Sequence, residues 1–201
     1  MGDCSHAMPS FNMQSMQSPS LEMRQATIME TTMKDRCLTD LVSLRTLTRE
    51  NVEDFFLWAS DPEVAKFMTW EAYTDKKDAL EFLVNIAESH PYFKAIVYDG
   101  KVVGSVTLSI GKGNNSFKAE LGYVLTRKYW GKGFTTAAVI KAVQEAFSQL
   151  KLSRIEAFVD PQNMASQRVL EKSGMKREGY LKNYLLFKGQ ISDRYIYAIT
   201  N

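Results

Sequence analysis

Two glycines, Gly131 and Gly133, lie between a predicted strand and a predicted helix. Because glycine has no side chain, backbone N–H groups at this turn can face a ligand bound at the helix N-terminus. These unpaired N–H groups and the helix dipole favour an anion, and a pyrophosphate suits them. Arg127, Lys128 and Lys132 add positive charge to the same turn. The turn is therefore a candidate phosphate-binding site, although a tight turn that binds nothing has the same pattern.

The glycine spacing does not fit two common nucleotide-binding motifs. The dinucleotide fingerprint needs a third glycine at the position that Thr136 occupies. The Walker motif needs Ser or Thr directly after its lysine, whereas Lys132 is followed by Gly133. The glycines alone therefore leave the identity of the anion open.

Metal and hydrolase chemistry find no support in the few histidines and cysteines. His6 and His90 are the only histidines, and neither has a metal-ligand spacing with Cys4 or Cys37. His90 directly precedes Pro91, and no Gly-x-Ser-x-Gly motif accompanies it, which argues against a Ser-His-Asp triad. We expect no metal, and two cysteines near the N-terminus favour a reducing compartment over a disulfide framework.

Length and composition predict one globular domain with a short tail. The chain has 201 residues, of which 45% are apolar and 24% charged, and its net charge is +2. This mild positive charge does not argue for nucleic acid, and no apolar run is long enough to span a bilayer. We expect a cytoplasmic protein without a nucleic-acid or membrane partner, either a monomer or a homodimer. A nuclear or organellar location stays open.

The first 35 residues predict a disordered tail that precedes the domain 36–201. They are rich in Met, Ser and Gln and have no sustained hydrophobic period. Gly2 and the neighbouring Cys4 leave acylation conceivable, but His6 stands where a myristoylation signal needs Ser or Thr.

From residue 41 onward the hydrophobic pattern predicts regular elements. Their order is one strand, helices, three antiparallel strands, a helix, a strand, a helix and two strands. Thr74 is predicted to cap a helix from Lys76 to Glu88, and the helix after Gly133 continues to Leu150. The fold class is therefore α+β, with strands and helices mixed in one domain.

Two separated blocks carry a resemblance to a known family. The first comprises Glu120–Leu125 and Tyr129–Gly133, and the second comprises Arg154–Ala157, Asp160–Asn163, Ser166 and Arg168–Met175. Together they resemble the coenzyme A motif of the GNAT superfamily of N-acetyltransferases, and within it the RimJ/RimL-type branch. The resemblance extends from about residue 40 to the C-terminal end. It implies a central mixed, mostly antiparallel sheet of about seven strands, splayed into a V, with helices on both faces.

The resemblance also implies that acetyl-CoA binds as cosubstrate between strands Lys118–Thr126 and Arg154–Asp160. Backbone groups of β-strand residues would hold the pantetheine, often at a bulge, and the glycine turn would hold the pyrophosphate. The residues implied as cofactor contacts are Val124, Leu125, Thr126, Gly131, Lys132, Gly133, Phe134, Thr135, Thr136, Asn163 and Ser166. Asn163 has an alternative role as a helix N-cap, and Ser166 as a merely satisfied hydroxyl. Arg168 and Lys172 are interpreted as a solvated helix face.

Glu120 is the predicted general base, directly or through a water. Strand alternation puts it on one face with Gly122 and Val124, and the resemblance suggests the same role. The alternative is that Glu120 only pairs with a lysine at the strand start.

The general acid is less defined, because many GNAT enzymes carry a tyrosine where this chain has Leu170. Ser166 is the replacement suggested by the RimL-like branch, with Tyr184 or water as further candidates. Ala137 also stands where relatives often have a glutamate.

The predicted reaction is direct transfer of the acetyl group to a primary amine in a ternary complex. We expect the acceptor to be a peptide or protein N-terminus. The alternatives are a small amine such as a polyamine, or a non-catalytic acyl-CoA-binding regulator. Five aromatic residues are candidates for the acceptor pocket or for the core: Trp58, Trp70, Tyr73, Tyr92 and Phe93.

Overall fold

The structure is a computed structural model that describes residues 38–201. These residues belong to one compact unit. The predicted tail 1–35, with Gly2, Cys4 and His6, lies outside the described residues, as does Cys37. The division into tail and domain therefore stays a prediction.

Seven strands form a single mixed sheet, as expected for the predicted fold class. Its spatial order is β1-β2-β3-β4-β5-β7-β6. Every neighbouring pair is antiparallel except β4 and β5, which are parallel. The bounds are β1 Val42–Thr46, β2 Phe93–Tyr98, β3 Lys101–Ile110, β4 Lys118–Leu125, β5 Arg154–Val159, β6 Lys176–Phe187 and β7 Gln190–Thr200.

The helices follow the predicted order with small differences at their ends. The α-helices are α1 Val52–Ala59, α2 Pro62–Ala65, α3 Lys76–Phe82, α4 Phe134–Ser148 and α5 Met164–Lys172. A π-helical segment, Leu83–Ala87, continues α3. The predicted cap at Thr74 is wrong, because the Asp75 side chain accepts the Lys77 N–H at 2.8 Å. A carboxylate one residue later has the better position for the first free N–H groups of the helix.

Helices cover both faces of the sheet, which confirms the predicted layering. On one face, apolar residues of α4 pack with the sheet in what we call the α4 core. On the other face, Phe55 and Trp58 of α1 and Leu83 after α3 form the α1/α3 core. Strand β4 contributes to both, with Tyr123 in contact with the α4 core and Val124 with the α1/α3 core. The predicted alternation of β4 is therefore confirmed.

Strands β4 and β5 pair over only three residues before they separate. The parallel pairs begin with Lys118 opposite Arg154 and end with Glu120 opposite Glu156. The pairing of β4 with β3 continues beyond this point to Leu125. One edge of β4 is therefore without a strand partner from residue 121 onward, and Glu120 and Glu156 lie at the vertex of a V.

No helix within residues 38–201 has the length and apolar character needed to cross a membrane. The same part of the chain contains no group of three or more His, Cys, Asp or Glu side chains arranged to hold a metal ion. The cytoplasmic location and the oligomeric state stay predictions.

Candidate active site

A cleft of about 430 Å³ lies along the unpaired part of β4. Its walls come from α2 and the turn after it, from β4, from the turn before α4, and from α5. The lining residues used below are Lys66, Tyr123, Val124, Leu125, Trp130, Gly131, Gly133, Thr135, Thr136, Asn163, Ser166, Arg168 and Lys172. Both sequence blocks that carry the resemblance thus contribute to one cavity.

Eight of the predicted cofactor residues line this cleft, and three do not. The Thr126 backbone N–H and side-chain hydroxyl both donate to the Val103 carbonyl at 2.7 Å, so they are engaged with β3. The Phe134 side chain is buried in the α4 core. The exposed Lys132 ammonium lies 5.7 Å from the centre of the Tyr129 ring. Of these three, Phe134 and Lys132 still belong to the backbone turn that begins α4.

The unpaired edge of β4 presents the peptide groups of Tyr123 and Leu125 to the V. In an antiparallel ladder, alternate residues direct their N–H and C=O groups to opposite edges. The Thr126 N–H bonds to β3, so the N–H and C=O groups of Val124 also point toward β3. Those of Leu125 point to the opposite edge, which is open to the V. The bulge expected near this segment lies instead in β3, where Val103 interrupts the register with β2.

The turn before α4 has the backbone shape that the two glycines predict. Gly131 and Gly133 have φ values of +71° and +88°, in the left-handed region that favours glycine. Gly133 is the N-cap of α4, and no side chain caps this helix. The first-turn N–H groups of α4 are therefore available to an anion, as the sequence pattern predicts.

Asn163 caps α5, which confirms the alternative role considered for it. Its Oδ1 accepts the Ser166 N–H at 3.0 Å. Asn163 also belongs to the cleft wall, so its capping role does not remove the residue from the site. A contact between Asn163 and the cofactor stays a prediction.

A buried ion pair holds the turn that leads into α5. The Asp160 carboxylate accepts the Gln162 N–H at 2.8 Å and pairs with Arg194 at 3.1 Å. The Arg194 guanidinium is only 6% exposed and lies 5.0 Å from the centre of the Phe187 ring. This contact fixes the start of α5, and with it Asn163, against the β6–β7 hairpin.

Three cations face the cleft from opposite walls. Lys66 follows α2, and Arg168 and Lys172 lie on α5. Arg168 and Lys172 are both exposed, so the interpretation of them as a solvated helix face stands, and this face also forms a wall of the cleft. Charged residues along one side of a helix do not indicate by themselves whether that side faces solvent or a cleft. Residues 165, 168, 169 and 172 share one face of α5 because they are three or four positions apart, and this face lines the cavity.

Glu120 lies outside the cleft lining, at the vertex of the V. Glu120 has an exposed surface, yet desolvation by the surrounding protein and the nearby Glu156 carboxylate raise the pKa of Glu120 above its usual value. The alternative pairing with a lysine is wrong, because Lys118 bonds to Glu156 at 3.0 Å. Among residues 38–201, no ion pair or hydrogen bond engages the Glu120 carboxylate.

The neighbouring Glu156 is held in its charged form. Burial opposes ionisation, but hydrogen bonds from Arg154 and Lys118 outweigh it, so the pKa of Glu156 is lowered. Arg154 bonds to Glu156 at 2.7 Å and also pairs with Glu178. The vertex therefore combines one unpaired carboxylate with a neutralised charge network.

Tyr184 lies on the vertex side and outside the cleft lining. Its ring stacks on Phe158 at a centroid distance of 4.9 Å. Partial burial, followed by the charges of Glu120 and Glu156, raises the pKa of Tyr184. Leu170 and Ala137 are both buried in the α4 core, so neither position presents a side chain to the cleft.

The five aromatic residues proposed for an acceptor pocket divide into two groups. Trp58 and Tyr92 are buried and belong to the core. The Tyr92 hydroxyl donates to Glu145 of α4, on the face opposite α1. Trp70, Tyr73 and Phe93 are only partly buried beside the α1/α3 core and so have surface to offer.

The sequence reasoning missed two side chains of the site. Tyr123, on the face of β4 opposite Glu120, was given no role, yet its hydroxyl lies 2.7 Å from Ser166 Oγ. Trp130 was treated only as part of a motif, yet its Nε1–H donates to the Leu125 carbonyl at 2.7 Å. The amphipathic character of Tyr and Trp was the available signal, since their polar groups usually find a partner.

Replacing Trp130 by phenylalanine should weaken acetyl-CoA binding. The change removes the bond that ties the glycine turn to the open edge of β4, worth about 1 kcal/mol. We expect the dissociation constant, measured by calorimetry, to rise about 5-fold. Trp70→Phe, which alters a tryptophan outside the cleft lining, is the control and should leave the constant unchanged. Equal binding by Trp130→Phe and wild type would reject this role.

Comparisons with known proteins agree with this geometry. Residues 42–176 match the family described as the acetyltransferase (GNAT) domain. The chain is 32% identical to the uncharacterized N-acetyltransferase p20 of Bacillus licheniformis, covering 80% of this chain and 93% of that protein. It is 34% identical to the [ribosomal protein uS5]-alanine N-acetyltransferase of Escherichia coli over 54% of this chain and 57% of that protein.

A solved structure adds a nucleotide ligand to the comparison. Mycobacterium smegmatis RimJ, solved in complex with CoA-disulfide, is 29% identical, with a TM-score of 0.67 over 79% of this chain and 81% of that one. The family match spans both blocks that form the cleft and most of the sheet. The chain therefore belongs to the GNAT family of acetyl-CoA-dependent N-acetyltransferases, among relatives that include RimJ-type enzymes.

Proposed function

We propose that this protein transfers the acetyl group of acetyl-CoA to the amino terminus of a peptide or protein. The observation that carries the proposal is the end of β4–β5 pairing at Glu120 and Glu156, directly beside the cleft. An unpaired strand edge and an uncapped helix N-terminus line the cleft, and the unpaired carboxylate of Glu120 lies where that strand edge begins. The strand edge can hold the thioester arm and the helix N-terminus can bind the pyrophosphate, while the carboxylate can act as the base. Direct attack by the amine needs the thioester and the base in place together.

The cofactor is assigned to the cleft on the chemistry of its walls. The first-turn N–H groups of α4 suit the pyrophosphate. The Leu125 N–H and the Tyr123 peptide groups suit the amides of the pantetheine, which can pair with a strand edge. Arg168 and Lys172, with Lys66 opposite, offer cations to the remaining phosphate.

Glu120 is proposed as the general base that removes the proton from the attacking amine. A raised pKa brings a carboxylate closer to the working pH, which makes it a more effective base. The absence of a cation partner among the described residues leaves its oxygens free for an amine or a bridging water. Ser166, in the cleft wall, is proposed as the group that donates to the leaving sulphur.

The charge balance at the vertex favours an acceptor with a single positive charge. Lys118 and Arg154 match Glu156 and Glu178, so Glu120 is the one carboxylate of this group without a counter-ion. A peptide amino terminus brings one charge to this place. A polyamine has additional ammonium groups, and this group of residues has no second unpaired carboxylate to bind them.

Two further observations support a peptide acceptor. Beyond Glu156, β5 has no strand neighbour on the V side within the described residues, so its edge has backbone groups that a peptide can pair with. The relative from Escherichia coli is described as acting on the alanine of a ribosomal protein. The small-amine enzyme and the non-catalytic regulator are the alternatives that the test must separate.

The test compares acceptors of different charge. Initial rates would be measured with a panel of short peptides that have free amino termini and with spermidine. We expect the best peptide to exceed spermidine in kcat/KM by at least about tenfold, since one unmatched ammonium corresponds to a kcal/mol or more. A spermidine preference would favour the small-amine alternative, and no turnover with any acceptor would favour the regulator.

A matched pair of variants sharpens the comparison. Lys118→Met removes one cation at the vertex and keeps a side chain of similar length. The kcat/KM for spermidine should therefore rise relative to that for the peptide. Lys77→Met removes a lysine whose side chain is 76% exposed on α3 and should leave the ratio unchanged. An unchanged ratio in Lys118→Met would contradict the charge argument.

A further inference from the structure

A tyrosine hydroxyl contacts a serine hydroxyl in the wall of the cleft. Tyr123 and Ser166 both line the cleft, one from β4 and the other from α5. Their hydroxyl oxygens are 2.7 Å apart, and the Tyr123 O–H also lies 3.1 Å from the Ser166 carbonyl. The contact bridges the two elements that form the cleft. It therefore fixes the side chain of Ser166 as well as its place on the helix.

The surroundings of Ser166 restrict where its own proton can point. The Ser166 N–H is engaged by Asn163, which caps the helix. A serine in a helix commonly turns its hydroxyl back to a carbonyl one turn earlier. Within the described residues, the Ser166 Oγ has Tyr123 as its partner instead. When Tyr123 donates to this oxygen, the Ser166 proton is free for an acceptor in the cleft.

Of the two acceptors near this hydroxyl, the Ser166 Oγ at 2.7 Å is closer than the Ser166 carbonyl at 3.1 Å, so the Oγ is the better placed for the single proton of Tyr123. Burial raises the pKa of its hydroxyl well above the usual value, although the bond to Ser166 acts in the opposite direction. The hydroxyl therefore keeps its proton throughout the neutral range. A tyrosinate, which could only accept, is excluded there.

We propose that Tyr123 is a positioning residue of acetyl transfer, which directs the Ser166 O–H toward the sulphur of the leaving thiol. This inference rests on the proposed function. The amine nitrogen bonds to the thioester carbon, the carbon–sulphur bond breaks, and its electron pair stays on sulphur. The Ser166 O–H donates a hydrogen bond to that sulphur as charge develops and keeps its own proton, and the released thiolate takes a proton from water. The proton that the amine loses passes to Glu120 and from there to solvent.

Tyr123→Phe tests this role because it removes the hydroxyl and keeps the ring. We expect kcat to fall about 10- to 100-fold, while the acetyl-CoA dissociation constant changes less than about threefold. Tyr92→Phe is the matched control, since Tyr92 is also buried and donates to Glu145 at 2.8 Å but lies outside the cleft lining. It should keep the wild-type kcat. A kcat for Tyr123→Phe equal to that of wild type would overturn the proposal.

A double-variant cycle distinguishes positioning from a general structural effect. If Tyr123 acts through Ser166, the variant carrying both Tyr123→Phe and Ser166→Ala should be no slower than Ser166→Ala alone. If Tyr123 only supports the fold, the two losses should multiply, and that result would refute the proposal. Failure of the proposed function has a different outcome, because wild type itself would then turn over no acceptor.

Discussion

Gly131→Glu should weaken acetyl-CoA binding by about 100-fold. A carboxylate at this turn would face the diphosphate at close range, where two like charges near a protein surface repel by up to about 4 kcal/mol, and about 1.4 kcal/mol corresponds to a factor of ten. It would also occupy the favourable end of the α4 dipole. The measurement is the dissociation constant of acetyl-CoA, by calorimetry, at low and at moderate salt.

Gly100→Glu provides an unusually close control for this change. Gly100 has a φ of +73°, against +71° for Gly131, and a Cβ at either position would meet no atom within 4 Å. The backbone strain of the two substitutions is therefore the same, and only the location differs. Gly100 lies in the β2–β3 hairpin turn, outside the cleft lining. Equal affinities for the two variants would show that the pyrophosphate does not bind at the glycine turn.

Glu120→Gln should lower kcat by about 100-fold or more, within the range that general-base catalysis contributes. The amide keeps the size of the side chain and loses the ability to take a proton. Acetyl-CoA affinity should stay at the wild-type value, because Glu120 lies outside the cleft lining. Glu81→Gln, at an exposed position of α3, is the control and should keep full activity.

The pH dependence of the reaction provides a second test of Glu120. The group works in its ionised form, so activity should rise as pH increases through its pKa, which burial and Glu156 raise above the usual range. This acidic limb should stay in place when acceptors with different amine pKa values are compared. In Glu120→Gln it should disappear. A limb that follows the pKa of the acceptor, or one that persists in Glu120→Gln, would assign the titration to another group.

The elements were predictable where local signals agreed with one another. The sequence predicts helices from Val52 to Ala59 and from Met164 to Lys172, and α1 and α5 have these bounds. Their apolar spacing and their first-turn residues indicate the same ends. The N-cap of α3 was misplaced by one residue, since Thr74 and Asp75 are both good caps and only the backbone decides between them. Strand β6 has register shifts at two places, and Asn183 there has a φ of +53°. The alternation of apolar and polar residues along a strand does not predict such irregularities.

The site was predictable to the extent that it depends on backbone. The glycine turn and the two blocks located the cleft, because glycines in the sequence indicate both a left-handed turn and a helix without a side-chain cap. The roles of Tyr123, Arg168 and Lys172 were not predictable. Strand alternation and helical spacing assign a residue to a face, but they do not show what that face packs against. That knowledge required the separation of β4 from β5, which is a property of the whole sheet.

Amine-dependent release of free thiol from acetyl-CoA tests the central claim most directly. The protein, acetyl-CoA and a panel of peptides with free amino termini would be mixed, with the same peptides blocked at the terminus as controls. Thiol should be released only with free termini, accompanied by a peptide that has gained one acetyl group. Tight binding of CoA without thiol release on any acceptor would contradict this claim, as would equal release with blocked and free peptides.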